Sequence, residues 1–264
     1  MLVAAYWLPV ARWGDAWAVE GFLNLHRPWL KNLATHVAHL ANPVPFALAT
    51  VVLGTIALVR GRPRHALAAI VLLSGANVVA QTLKILLQHS RHHDFLGHAQ
   101  LNPIAFPSGH ATASMSLAFA AVLVAPAAVR PLVAVGGALF ALGVSESVML
   151  LAWHFPSDVV GGFLVATARA LMVLAGLRAA EARWPERTGR EAAKRVIGDP
   201  DLLRVALLVA GFVTAALVGV AIAAGDQTLS YAGRYTSVVF AVVSVAALAA
   251  VLPVAVAGLS TRRL

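Results

Sequence analysis

Runs of about 20 predominantly apolar residues recur along this chain, and a run of that length is what an α-helix needs to cross the hydrocarbon core of a bilayer. They fall near 42–60, 65–88, 109–128, 131–151, 156–178, 202–224 and 236–258. Backbone in lipid must satisfy its own hydrogen bonds, so runs of this kind predict an all-α, polytopic transmembrane helix bundle. Charged residues make up only 12% of the 264 positions, against about 25% in soluble domains. A soluble globular fold is thereby excluded. Glycines inside several runs are compatible with membrane helices.

Residues 1–41 read differently. Met1 to Ala11 is apolar but too short to span, and Asp15, Glu20, Arg27 and Lys31 follow at intervals that forbid a lipid-exposed helix. An interfacial segment is expected, because Trp7, Trp13, Trp17 and Trp29 supply indole rings that favour the headgroup level. No basic leader precedes the apolar start, so a cleaved signal peptide is not expected.

The arginines set an orientation. Arg60, Arg62, Arg64, Arg130, Arg178, Arg183, Arg187, Arg190, Lys194, Arg195, Arg262 and Arg263 all fall in connections on one side of the predicted bundle. The positive-inside rule makes that side cytoplasmic and turns Lys84 to Gly109, Ala152 to Phe155 and Gly225 to Tyr235 outward. The net charge of +9 is thus read as contact with membrane lipids and not with nucleic acid, since no basic stripe carries interleaved aromatics. Four regions follow: the interfacial 1–41, a core at 42–178, a polar cytoplasmic connector at 179–201, and a two-span tail at 202–264. The tail's default role is packing or homo-oligomerisation.

The chain has no cysteine, so its chemistry must come from His, Ser, Asp, Lys and Arg. Three outward stretches collect them. Lys84 ends one run and Arg91 follows two helical turns later, a spacing that puts two cations on one face if helix continues. Such a pair suits a phosphate, with Arg as a bidentate fork and Lys as a point charge. Pro107-Ser108-Gly109-His110 opens the next run: Ser108 can cap the helix, the N–H groups from Gly109 onward can bind an anion, and His110 can protonate a leaving oxygen. His154 and Asp158 straddle the start of another run, where a first-turn carboxylate can hold one imidazole nitrogen and leave the other nucleophilic.

Together these stretches resemble the type 2 phosphatidic acid phosphatase (PAP2) superfamily, whose motifs are K-x6-R-P, P-S-G-H and S-R-x5-H-x3-D. The resemblance covers about residues 42–178. It implies that Lys84 and Arg91 bind phosphate, that Ser108 and Gly109 line the oxyanion site, and that His110 is the general acid. His154 would form a phosphohistidine with Asp158 orienting it. It further implies a helical core, no metal or cofactor, and a lipid phosphate or diphosphate as substrate.

Two positions depart from the pattern: His92 replaces the first-motif Pro, and Val148 follows Ser147 where the family has Arg. That Arg normally contacts the phosphate, and a charged hydrogen bond is worth about 1.5–3 kcal/mol. His92, His93 and the more distant Arg234 are candidate substitute donors. The histidines at 89, 92, 93 and 98, with Asp94, lack a recognised ligand spacing, so no metal site is expected. Glu146 lies inside a run and should face the bundle interior with a partner, for which Arg169 is the candidate.

The expected function is therefore membrane lipid phosphatase, with a polyprenyl diphosphate as first substrate and a glycerophospholipid or polyprenyl-sugar phosphate next. The alternatives are phosphotransfer through the same residues, and a non-catalytic lipid-binding or assembly protein whose site has decayed at Val148.

Overall fold

The computed structural model describes residues 9–25, 28–87, 105–184 and 225–261, the side chains at 9–12, 225–229, 260 and 261 excepted. Their regular structure is entirely helical: α1 (Pro9–Leu23), α2 (Pro28–His39), α3 (Pro43–Val59), α4 (Pro63–Leu86), α5 (Gly109–Val124), α6 (Arg130–Leu150), α7 (Pro156–Arg183), α8 (Gly225–Arg234) and α9 (Thr236–Thr261). Proline opens the first turn of α3, α4, α6 and α7, where its missing N–H has no intrahelical partner to lose.

Four of these helices, α4, α6, α7 and α9, are long and apolar enough to cross a bilayer. They correspond to the expected runs at 65–88, 131–151, 156–178 and 236–258. α3 continues from α2 through a 48° bend, and the pair is long and apolar enough for a fifth crossing. The run at 109–128 yields a helix of only 16 residues. It stops because Ala125 precedes Pro126 and is extended, with ψ 144°, as a residue before proline must be to avoid the ring. The run at 202–224 lies outside the described residues. The chain is a multi-pass membrane protein built as a helix bundle.

The short helix α5 is the centre of the bundle. Nearly every residue of it is buried, and α3, α4, α6, α7 and α9 all pack against it. Ala111, Ala113, Ser114, Ser116, Ala118 and Ala120 keep its surface low, so neighbouring backbones come close, as small residues allow in membrane bundles. At the α5–α6 crossing, a Cβ on Gly137 would lie 2.7 Å from the Cβ of Ala118. Only glycine fits there.

Because α6 and α7 both pack on α5, they are not paired along their own lengths. This overturns the expected Glu146–Arg169 pair. Glu146 is four residues from the C-terminal end of α6, whereas Arg169 is thirteen residues into α7, a difference in depth of about 14 Å at 1.5 Å per residue. Glu146 Oε1 and Arg169 Nε are each buried without a hydrogen-bond partner. Arg169 lies instead across Gly75 of α4.

The basic connections gather at one end. Arg64 donates to the carbonyl of Trp184 at 2.6 Å, Arg178 donates to the carbonyl of Leu259, and Arg62 lies within electrostatic reach of Arg130. At the opposite end α1 lies against α9 and touches α6 and α7. It buries Asp15, Ala16, Ala18, Val19 and Phe22, and Tyr231 at the end of α8 donates to its Gly21 carbonyl at 2.6 Å. Trp13 and Trp17 point outward, 41% and 55% exposed, with ring centroids 5.8 Å apart.

Candidate active site

The turn that presents His154 begins with the way α6 ends. Ala152 N donates to Met149 O and Trp153 N to Val148 O, both at 2.9 Å. This is the double closure of a Schellman cap, in which the residue after the helix adopts a left-handed conformation. That residue is Ala152, at φ 54°. Alanine is strained there by about 1–2 kcal/mol, because its Cβ crowds the following carbonyl. The reversal puts Trp153 and His154 directly over the start of α7.

There Asp158, fully buried, accepts from the backbone N–H of Phe155 at 3.0 Å through Oδ2. A first-turn carboxylate in this position satisfies an otherwise orphaned donor and lies at the positive end of the helix dipole. The same oxygen is 3.5 Å from Nδ1 of the buried His154, and Nδ1 makes no hydrogen bond. His154 and Asp158 therefore face each other at slightly more than bonding distance. Asp15 of α1 completes the corner: its carboxylate accepts from Ser157 N at 3.1 Å and from the Ser157 hydroxyl.

The start of α5 is bonded to the start of α7. Ser108 N donates to the Asp158 carbonyl at 2.9 Å, and Ser108 Oγ caps the helix by accepting from Ala111 N at 3.3 Å. The remaining first-turn N–H groups, at Gly109 and His110, have no intrahelical acceptor. Gly162 makes this junction possible. A Cβ at that position would stand 2.7 Å from the Ser108 carbonyl oxygen and 3.0 Å from Thr112 N.

From α4, Lys84 reaches the same point. Its Nζ lies 3.5 Å from where a Gly109 Cβ would be, with the amide nitrogen of Gln81 at 3.8 Å. The ammonium is close enough to Asp158 for the two charges to interact. His110 is held from the other side: its Nε2 lies 3.1 Å from Asn42 Oδ1, as a donor to that oxygen. Its ring is 6.2 Å from the His154 ring and 5.7 Å from Trp153. Trp153 in turn stacks on His39 at 6.1 Å. An ammonium, a pair of helix-start N–H groups and two facing imidazoles thus surround one small volume.

Of the residues singled out from sequence, Lys84, Ser108, Gly109, His110, His154 and Asp158 come together. Arg91 and His92 lie outside the described residues, as does the loop cluster at 89–98. Arg234 ends α8 exposed and makes no hydrogen bond or ion pair with the site. Val148 is fully buried among core residues. No group of three His, Cys, Asp or Glu poised for a metal occurs among the described residues.

Sequence reasoning missed Asn42, Gln81, Trp153 and Asp15. Asn42 carried a signal, since Asn before Pro43 at the head of a run reads as a helix cap. Here its side chain makes no cap hydrogen bond and turns to His110 instead.

Comparison with known proteins places this arrangement. Residues 65–182 match the model of the PAP2 superfamily. No match was found among curated protein sequences. Among solved structures, the fold is similar to that of the first transmembrane PAP2 type phosphatidylglycerolphosphate phosphatase from Bacillus subtilis. The TM-score is 0.58 at 21% identity, over 71% of this chain and 94% of that one. The motifs, the fold and the match agree: residues 65–182 of this membrane protein are similar to the PAP2 superfamily.

Proposed function

We propose that the chain hydrolyses a lipid phosphate or diphosphate through a phosphohistidine on His154. The observation that carries this reading is the convergence of Lys84, the α5 start and the His154–Asp158 pair on one volume at the end of the bundle away from the arginines. His154 Nε2 attacks phosphorus while Asp158 holds Nδ1 and stabilises the developing imidazolium. The 3.5 Å gap closes to a hydrogen bond as charge develops, in keeping with apo geometries that tighten in the complex. Lys84 and the Gly109 and His110 N–H groups hold the phosphoryl oxygens as charge spreads over them, which is where preorganised donors lower the barrier most.

The bond from phosphorus to the lipid oxygen then breaks, its electron pair stays on that oxygen, and His110 supplies the proton. The two ring centroids are 6.2 Å apart, so that His110 faces the volume in which His154 attacks. Water next attacks the phosphohistidine, giving its proton to His110 and releasing inorganic phosphate from His154. The cycle returns both imidazoles to their starting state.

With the arginine end cytoplasmic, the site opens to the outer leaflet of a bacterial cytoplasmic membrane. A polyprenyl diphosphate is the first substrate to try there, followed by glycerophospholipid and polyprenyl-sugar phosphates. The test is phosphate release by the purified protein in detergent, from farnesyl diphosphate and dioctanoyl phosphatidate, against a His154→Ala preparation. Release lost in the variant supports the reading, and equal release in both refutes it. Cysteines at Gly233 and Ala128 test the side: only the first should react with an impermeant reagent outside intact cells.

A further inference from the structure

Two of the five carboxylate side chains among the described residues, Asp15 and Asp158, are buried against the same turn of the same helix. Asp158 belongs to α7. Asp15 comes from α1, 142 residues before Ser157 in the chain, and is only 5% exposed. A buried carboxylate is costly unless hydrogen-bonded. This one is satisfied by Ser157, through both its N–H and its hydroxyl.

The segment so held is short and carries the chemistry. His154 is three residues before Ser157 and Asp158 one after. Asp158 fastens backward to Phe155 N–H, and Asp15 fastens the turn from outside. Between them they clamp the segment 154–158 at both a backward and an outward contact. The Asp158 Oδ2 to His154 Nδ1 separation, on which the nucleophile's tautomer depends, is set by where the Ser157–Asp158 peptide sits. A slackened turn would let Oδ2 move against the imidazole. Lys84 is carried by α4 and the His110 ring is anchored to Asn42, so both would stay in place.

We propose that Asp15 is a positioning residue for the nucleophile: through Ser157 it holds the α7 start so that Asp158 can orient His154. This rests on the phosphohistidine reading, and it adds α1 to a catalytic apparatus that the family match, which begins at residue 65, does not contain. Because binding of phosphate depends on the other helices, removing Asp15 should slow the chemical step and spare affinity. A charged hydrogen bond lost from a transition-state contact corresponds to roughly a ten- to hundredfold rate loss.

The experiment compares wild type, Asp15→Ala and Asp15→Asn in detergent with dioctanoyl phosphatidate, alongside hydrogen exchange of the peptide spanning residues 154–160. In Asp15→Ala, kcat should fall roughly ten- to hundredfold, KM should stay within about twofold, and exchange at the α7 start should accelerate. Asp15→Asn keeps an oxygen for Ser157 N–H and should recover much of kcat, which also covers the case in which Asp15→Ala folds poorly. Three results overturn the proposal: unchanged kcat with accelerated exchange, unchanged exchange, or a fall in rate matched by an equal fall in the fraction of protein that melts cooperatively. An inactive wild type would refute the functional reading, while an unaltered exchange pattern in Asp15→Ala would refute only the contact.

Discussion

Replacing Gly162 by Ala tests whether the α5–α7 junction sets the catalytic geometry. The new Cβ would stand 2.7 Å from the Ser108 carbonyl oxygen, 3.0 Å from Thr112 N and 3.0 Å from the Ala111 Cβ. Ordinary contact begins at 3.4 Å, so the Ser108 oxygen is about 0.7 Å too close. These are mainly backbone neighbours, which cannot rotate aside, and the two helices must separate by about that distance. Such a shift pulls on the 2.9 Å bond between Ser108 N and the Asp158 carbonyl, and so moves the anion-binding helix start away from His154. A misplacement near 1 Å can cost about a hundredfold in rate, so kcat should fall roughly ten- to a hundredfold. Overpacking costs about 1–3 kcal/mol, of which alanine's helix propensity returns up to about 1 kcal/mol. The protein should therefore still fold. Gly176, on the same helix with nothing within 4 Å of its would-be Cβ, is the control, and its Ala variant should keep full activity. Phosphate release and thermal melting of both variants decide the matter. Wild-type kcat in Gly162→Ala would refute the claim that this contact fixes the site.

Further expectations follow from the same geometry. Asn42→Ala removes the acceptor that holds His110 and should lower turnover about three- to tenfold, the range of a neutral hydrogen bond. The loss should be greater for poor leaving groups, and an equal loss for good and poor ones would count against an acid role for His110. Ala152→Gly relieves the left-handed strain at φ 54° and should stabilise the protein by about 1 kcal/mol, read as a raised melting temperature with activity retained; a lowered one would contradict the cap assignment. Val148→Arg introduces a charge at a position buried on all sides and should lower the yield of folded protein. Increased turnover would mean that position 148 reaches the phosphate after all.

The parts of this molecule legible from sequence are those encoded within single elements. Continuous apolarity located the four helices long enough to cross a bilayer because a lipid-facing helix needs no polar alternation. The residues at 84, 108–110, 154 and 158 could be found because each group lies on one helix end, where spacing along the chain is spacing in space. Asn42, Gln81 and Asp15 escaped because their partners are supplied by other helices. Asp15 reads as one of several polar residues in an interfacial segment, yet it is buried on the turn that carries His154 and Asp158. The Glu146–Arg169 expectation fails for a topological reason: α5 provides the surface on which both of their helices are packed. The early end of α5 was written in Pro126, but apolarity continuing to Ala128 masked it.

The central step of the proposed mechanism is transfer of the phosphoryl group to His154. Purified protein mixed with a lipid phosphate labelled at phosphorus, quenched during turnover and analysed by peptide mapping, measures this directly. The label should appear on the peptide containing residue 154, withstand alkali, be lost in acid as phosphohistidine is, and be absent from His154→Ala. A label on another residue, or steady turnover in His154→Ala, would contradict the mechanism.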